Sequence, residues 1–228
     1  MSQYTLYYAP ETCARVSIYT MFEKGIDFDA KLVRFMAGDH KAPEYLEKHP
    51  QGKVPLLVDG DEAISENVAL LTYLAKENPD KGILPFTGDT LHDCRILSDL
   101  AWCSSGLHPI VTRIRMPFFM CQVEGGPKGV YDIACEAMKP QFEVINKRLE
   151  GKTWLYDDTW SALDAYIFWV WFRVTGAGFD GSAYPHYAAH AKRMEERDAY
   201  KQMIALEDKA NAKLEAQGMR FAPPPPPK

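Results

Sequence analysis

The sequence predicts an α/β unit over residues 1–80 followed by an all-helical unit over 91–222, and three observations carry that expectation. Strand-like and helix-like segments alternate in the order β-α-β-α-β-β-α as far as Asn78-Pro79, the pattern of a compact α/β unit. Beyond a stretch rich in Gly, Pro and Thr at 81–90, which reads as a linker, only helical periodicity recurs. Charge divides at the same place. Residues 1–80 hold 8 basic and 13 acidic side chains, so the whole net charge of −5 lies there.

Each element has a local cause. Tyr4 to Tyr8 is short, aromatic and β-branched, as in a strand, and Pro10 and Thr12 break it. From Cys13 to Lys24 the pattern is helical, with Val16, Tyr19 and Thr20 on one side and Gly25 as the stop. A second strand follows from Phe28 to Phe35, and Pro43 opens a short helix. Two apolar runs then flank Asp59-Gly60, a strong hairpin signal, while Pro55 places the first run at a sheet margin or a bend. Ser65 is the expected cap of a helix from Glu66 to Glu77.

In the second unit, helices are expected at 90–122, 129–150, 161–175, 184–196 and 198–217. Ser161-Ala-Leu-Asp164 has the spacing of a capping box, with Asp in place of Glu. The helix it opens, Ala165 to Phe172, is apolar on all sides and belongs at the centre of that unit. Pro223 to Pro227 and Lys228 read as a solvated polyproline tail.

Composition removes several function classes. With 228 residues, 46% hydrophobic and 25% charged, the chain is too apolar for disorder. Its 26 basic against 31 acidic side chains provide no broad footprint for nucleic acid. The N-terminus lacks a secretion pattern, and Ala165–Phe172 is about half the length of a membrane span. Five cysteines, without CxxC or zinc-like spacing, fit reduced thiols in a cytoplasm and no metal.

Three places carry chemistry. Cys13 stands at a strand-to-helix turn, where free N–H groups and the helix dipole stabilise a thiolate; the alternative is a buried, inert thiol. Ser65-Glu66-Asn67 begins a helix, so N–H groups there suit a carboxylate and Glu66 suits an ammonium; plain capping explains the same residues equally well. On the helix near residue 100, Ala101, Ser105, His108 and Thr112 form a small, polar stripe opposite the apolar Ile96, Leu100, Cys103 and Leu107. Pro109 kinks that helix beside the His.

Taken together, Tyr-Tyr-Ala-Pro-Glu-Thr-Cys13, Gln-Gly-Lys-Val54-Pro55, Ser-Glu66-Asn67 and Ser-Ser105-Gly-Leu-His108 resemble cytosolic glutathione transferases, most of all the bacterial beta class. The resemblance spans essentially the whole chain. It implies a thioredoxin-like N-terminal domain and a helical C-terminal one. It also implies an enzyme that adds the thiolate of glutathione, its co-substrate, to a hydrophobic electrophile, usually as a homodimer. Pro55 would be cis and present the Val54 backbone to the cysteinyl part of glutathione. Glu66 and Asn67 would hold the γ-glutamyl head, Cys13 would lie beside the sulfur, and His108, with Ser105, would reach in from the second domain. His40, Lys41 and Lys53 would meet the glycyl carboxylate, while Thr12 and Tyr8 are further hydroxyls for the sulfur. Tyr8, Trp102, Thr112, Met116 and Phe119 would line the second-substrate pocket. Two other functions share this fold: glutathione-dependent thiol/disulfide reduction through Cys13, and non-enzymatic binding of ligands. Asn67 stands where the family often has Ser, and Pro109 where the beta class has a basic residue.

Overall fold

Strand β1 (Tyr4–Tyr8) buries Tyr4, Leu6 and Tyr8 on one face, because alternate side chains of a strand point to one side. In the computed structural model, which describes residues 3–157, 159–221 and 225, it is central in a four-stranded mixed sheet. The strand order is β2-β1-β3-β4, with β2 at Phe28–Leu32, β3 at Leu56–Asp59 and β4 at Glu62–Ser65. β2 runs parallel to β1, with Tyr4 opposite Phe28; β3 runs antiparallel to β1 and to β4. The expected second strand ends three residues early, where the chain turns into a 3-10 segment at Phe35–Ala37.

Three helices complete this part of the chain: α1 (Ala14–Glu23), α2 (Pro43–Lys48) and α3 (Asn67–Glu77). Every residue of α1 from Ala14 to Met21 is buried, polar ones included. An amphipathic helix would leave one face wet. Here α3 packs on one side of α1 and the last helix of the chain, α10 (Asp198–Ala216), on another. The chain divides into two compact units, and Glu196–Phe221 belongs with the N-terminal segment through Leu84 rather than with Pro85–Glu195. The helix expected at 198–217, placed by the sequence reading in a helical domain reaching residue 222, thus packs on α1. The tail expected at 223–228 lies, apart from residue 225, outside the described residues.

The second unit holds α4 (Thr90–Ala101), α5 (His108–Arg115), α6 (Pro117–Met120), α7 (Gly126–Arg148), α8 (Ala162–Thr175) and α9 (Pro185–Glu196). The single helix expected at 90–122 is interrupted twice. Pro117 cannot donate a helical hydrogen bond and pushes Met116 out of helical geometry, to φ −136 and ψ 52. Before Pro109 the helix widens into a π-turn at Trp102–Leu107, in which the His108 N–H bonds Cys103 O, five residues back. The Ser104 and Ser105 hydroxyls both donate to Ala101 O, at 3.2 and 2.7 Å. No helix among the described residues is long and apolar enough to cross a membrane.

α8 is buried from Ala162 to Val170, and a complete capping box holds its start. The Asp164 carboxylate accepts from the Ser161 N–H (2.9 Å), the Leu155 N–H (2.8 Å) and His190 Nε2 (3.0 Å). All of this is out of water, so removing the acceptor would strand several buried donors. Asp164→Ala should therefore lower unfolding stability by about 3–5 kcal/mol, read as the urea midpoint, and Asp164→Asn by less, since one acceptor oxygen remains.

Candidate functional site

Cys13 occupies the N-cap position of α1, at φ −63 and ψ −7, on the turn that leaves β1. It is partly buried, and its Sγ donates to Val54 O at 3.5 Å. Its carbonyl accepts from Asn67 Nδ2 at 3.0 Å, and Asn67 Oδ1 in turn accepts from Ser17 Oγ at 2.6 Å. The starts of α1 and α3 and the loop before β3 thus converge on one cysteine.

That loop has its own constraints. The Val54-Pro55 peptide is cis, and Pro55 is buried. Gly52 has φ +60, and a Cβ there would lie 2.6 Å from His40 O, so only glycine fits. The Tyr45 hydroxyl donates to Lys53 O at 2.5 Å. Val54 itself packs on a small core of Val33, Tyr45 and Leu56. Lys41 and Lys53 are exposed on the same unit. His40 lies tilted against Phe35, with ring centroids 4.6 Å apart and 52° between the ring planes, and burial with neighbouring Lys41 lowers its pKa.

The start of α3 differs from expectation. Ser65 ends β4 and caps nothing; the N-cap is Glu66, which is exposed and has the left-handed φ of 67. No side chain caps this terminus and no acidic residue occupies its first turn. Its leading N–H groups are the type of donor that helix ends leave for an anion. Asn67 is 4% exposed, and both ends of its amide have internal partners.

Thr12 is likewise engaged within the protein. Its hydroxyl donates to Ala9 O at 2.7 Å and accepts from the Ala14 N–H at 3.3 Å, so it stabilises the turn and has no proton left for a sulfur. Tyr8 is 3% exposed, and burial with the charge of Glu207 pushes its pKa up to about 12. Its ring is part of the core of the first unit.

The remaining expected residues lie in the second unit. His108 begins α5 and meets Trp169 edge-on, with centroids 4.6 Å apart. The Ser105 and Thr112 hydroxyls donate to carbonyls one turn back, Ala101 O and His108 O. The Trp102 indole N–H donates to Gln141 Oε1 at 2.9 Å, and its ring lies over Gly106. Phe119 is 58% exposed, with Met116 just before α6. Sequence reasoning missed Arg15 and Glu207. They form a buried pair at 2.5 Å, 192 residues apart, for which no local pattern gives a signal.

Comparison with known proteins matches both halves of the chain. The family model described as the glutathione S-transferase N-terminal domain covers residues 2–76, and that of the C-terminal domain covers 107–198. Glutathione S-transferase GST-4.5 of Xanthomonas campestris pv. campestris is 26% identical, over 94% of this chain and 98% of its own. A sphingomonad glutathione S-transferase solved in complex with glutathione is 26% identical, with a TM-score of 0.78, 90% of this chain and 98% of that one covered. A bacterial beta class enzyme of Sphingomonas chungbukensis is 28% identical with a TM-score of 0.75, covering 89% and 98%. With a thioredoxin-like sheet domain and a helical domain matched in order, this chain belongs to the glutathione S-transferase family and is most like its bacterial beta class.

Proposed function

We propose that the chain is a glutathione transferase whose first unit binds glutathione at the junction of the Cys13 turn, the Val54-Pro55 loop and the start of α3. The approach of Cys13 Sγ to Val54 O at 3.5 Å carries this reading, because it puts a thiol beside backbone able to pair with a peptide. Relatives named as transferases favour transfer over thiol/disulfide reduction or ligand carriage.

In this scheme the Val54 backbone pairs with the cysteinyl residue of glutathione. The exposed Glu66 carboxylate meets the γ-glutamyl ammonium, and the open N–H groups at the start of α3 take the carboxylate that the Asn67 side chain does not. Lys41, Lys53 and His40 are the cations and donor nearest in character to the glycyl carboxylate. The sulfur lies next to Cys13, at the N-terminus of α1, where the helix field favours a thiolate. The thiol proton passes to solvent, the thiolate donates its electron pair to an electrophilic carbon, and a C–S bond forms as the leaving group departs with the bonding pair. Met116 and Phe119 are candidates for the wall of a mostly apolar second substrate, and His108, Ser105, Thr112 and Trp102 are further candidates on the helical unit. A homodimer in a cytoplasm is the corresponding setting.

Titration calorimetry with glutathione should give saturable heat below millimolar ligand; no heat would sink the proposal. Glu66→Ala should weaken that binding about tenfold, corresponding to about 1.4 kcal/mol for one charge-assisted contact. Cys13→Ala should lower the rate of conjugation to an aryl halide, and full activity in both conjugation and thiol–disulfide exchange would show Cys13 to be a bystander. Tyr8 stays protonated at working pH, so Tyr8→Phe should leave the pH–rate profile from pH 6 to 9 unchanged. Because folding raises the Tyr8 and Tyr45 pKa values to about 12, their contribution to stability is complete below about pH 10 and is lost as pH rises from there towards 12; urea midpoints across that range should fall accordingly.

A further inference from the structure

We propose that Glu207, near the middle of the last helix, is a positioning residue for the turn that presents Cys13; this rests on the proposed role of that turn beside the glutathione sulfur. Glu207 is 2% exposed. Its Oε1 accepts from the backbone N–H of Glu11 at 2.9 Å and from Arg15 Nε at 2.9 Å. Its Oε2 accepts from Arg15 Nε at 3.0 Å and from the terminal Arg15 nitrogen at 2.5 Å. Glu11 and Arg15 stand two residues before and two residues after Cys13. One carboxylate therefore grips both flanks of the cysteine, from a helix almost 200 residues away.

The geometry of the turn shows why a grip is needed there. Glu11 has φ 61, a left-handed conformation that a side-chain-bearing residue rarely adopts without local support. The hydrogen bond from its N–H to Glu207 supplies that support. Arg15 lies on the first turn of α1 and is buried, so its guanidinium needs a fixed anion, and a bidentate carboxylate fixes its direction as well as its charge. On the other side, Asn67 holds the Cys13 carbonyl. With both contacts in place, the backbone on either side of Cys13 is held, and with it the point from which its side chain leaves the turn. An Asp at 207 is a methylene too short to reach Glu11 and Arg15 together.

The test separates this from a purely stabilising role by comparing two neutral replacements in the full-length protein. Glu207→Gln keeps an acceptor for the Glu11 N–H and for one Arg15 nitrogen, whereas Glu207→Ala keeps neither. The readout is the iodoacetamide alkylation rate of the Cys13 peptide, followed by mass spectrometry at pH 7 and well below the unfolding temperature of each variant. Alkylation in Glu207→Ala should fall at least fivefold, and Glu207→Gln should recover to within twofold of the parent. Where conjugation is measurable, kcat should follow the same order while KM for glutathione stays within threefold. A rate in Glu207→Ala equal to or above the parent's would overturn the proposal, as would Glu207→Gln as slow as Glu207→Ala. Should Glu207→Ala fail to fold, Arg15→Leu/Glu207→Leu replaces the pair with apolar packing; the same fivefold loss is expected, and an unchanged rate would overturn the proposal. Alkylation needs no glutathione. A protein that binds none would sink the functional reading while leaving this test to its own result.

Discussion

A single buried amide, Asn67, ties the start of α3 to the start of α1: it donates to the Cys13 carbonyl and accepts from the Ser17 hydroxyl. Two helices that follow β1 and β4, strands running in the same direction, are pinned at their N-termini by these bonds. Buried polar groups are costly to leave unpaired, about 1–3 kcal/mol each, so the amide is held in place by the same bonds through which it holds the helices. Most of what the first unit can do follows from this. The Cys13 turn is set on one side by Asn67 and on the other by the Glu207 carboxylate, and the thiol is left directed at the Val54 carbonyl.

The arrangement also bears on charge. The acidic surplus of residues 1–80 opposes an anionic tripeptide at long range. Local donors therefore have to do what the overall field does not. α3 begins with N–H groups that no side chain caps, Glu66 is exposed for a cation, and Lys41 and Lys53 are exposed. The proposed site would discriminate by placement: a ligand with an ammonium and a carboxylate on one carbon would match Glu66 and the helix end together, and a simple anion only one of them.

What could be read in advance was whatever is written locally. β1, the Asp59-Gly60 hairpin, the short helix opened by Pro43 and the Ser161–Asp164 capping box each depend on residues a few places apart, and each stands close to where its spacing puts it. The family resemblance drew its strength from several such motifs in order. The departures have long-range or competing causes. The place of α10 in the first unit depends on Arg15–Glu207 and on Arg197–Glu23, pairs separated by more than 170 positions. The residue types of Thr12 and Asn67 suit a ligand site, yet Thr12 is engaged by the peptide groups of its own turn, and Asn67 by Cys13 and Ser17, 54 and 50 positions away. The π-turn at Trp102–Leu107 appears in the sequence only as a proline, which signals a kink and not its form.

The most direct test is a crystal structure of the protein with glutathione. The sulfur should lie within about 4 Å of Cys13 Sγ, the distance of van der Waals contact. The cysteinyl peptide should pair with the Val54 backbone, and the Asn67 amide should still bond the Cys13 carbonyl while backbone N–H groups of α3 take the γ-glutamyl carboxylate. A structure in which Asn67 leaves Cys13 to bind the tripeptide, or in which the sulfur sits away from Cys13, would contradict the claim that this buried amide builds the site without touching its ligand.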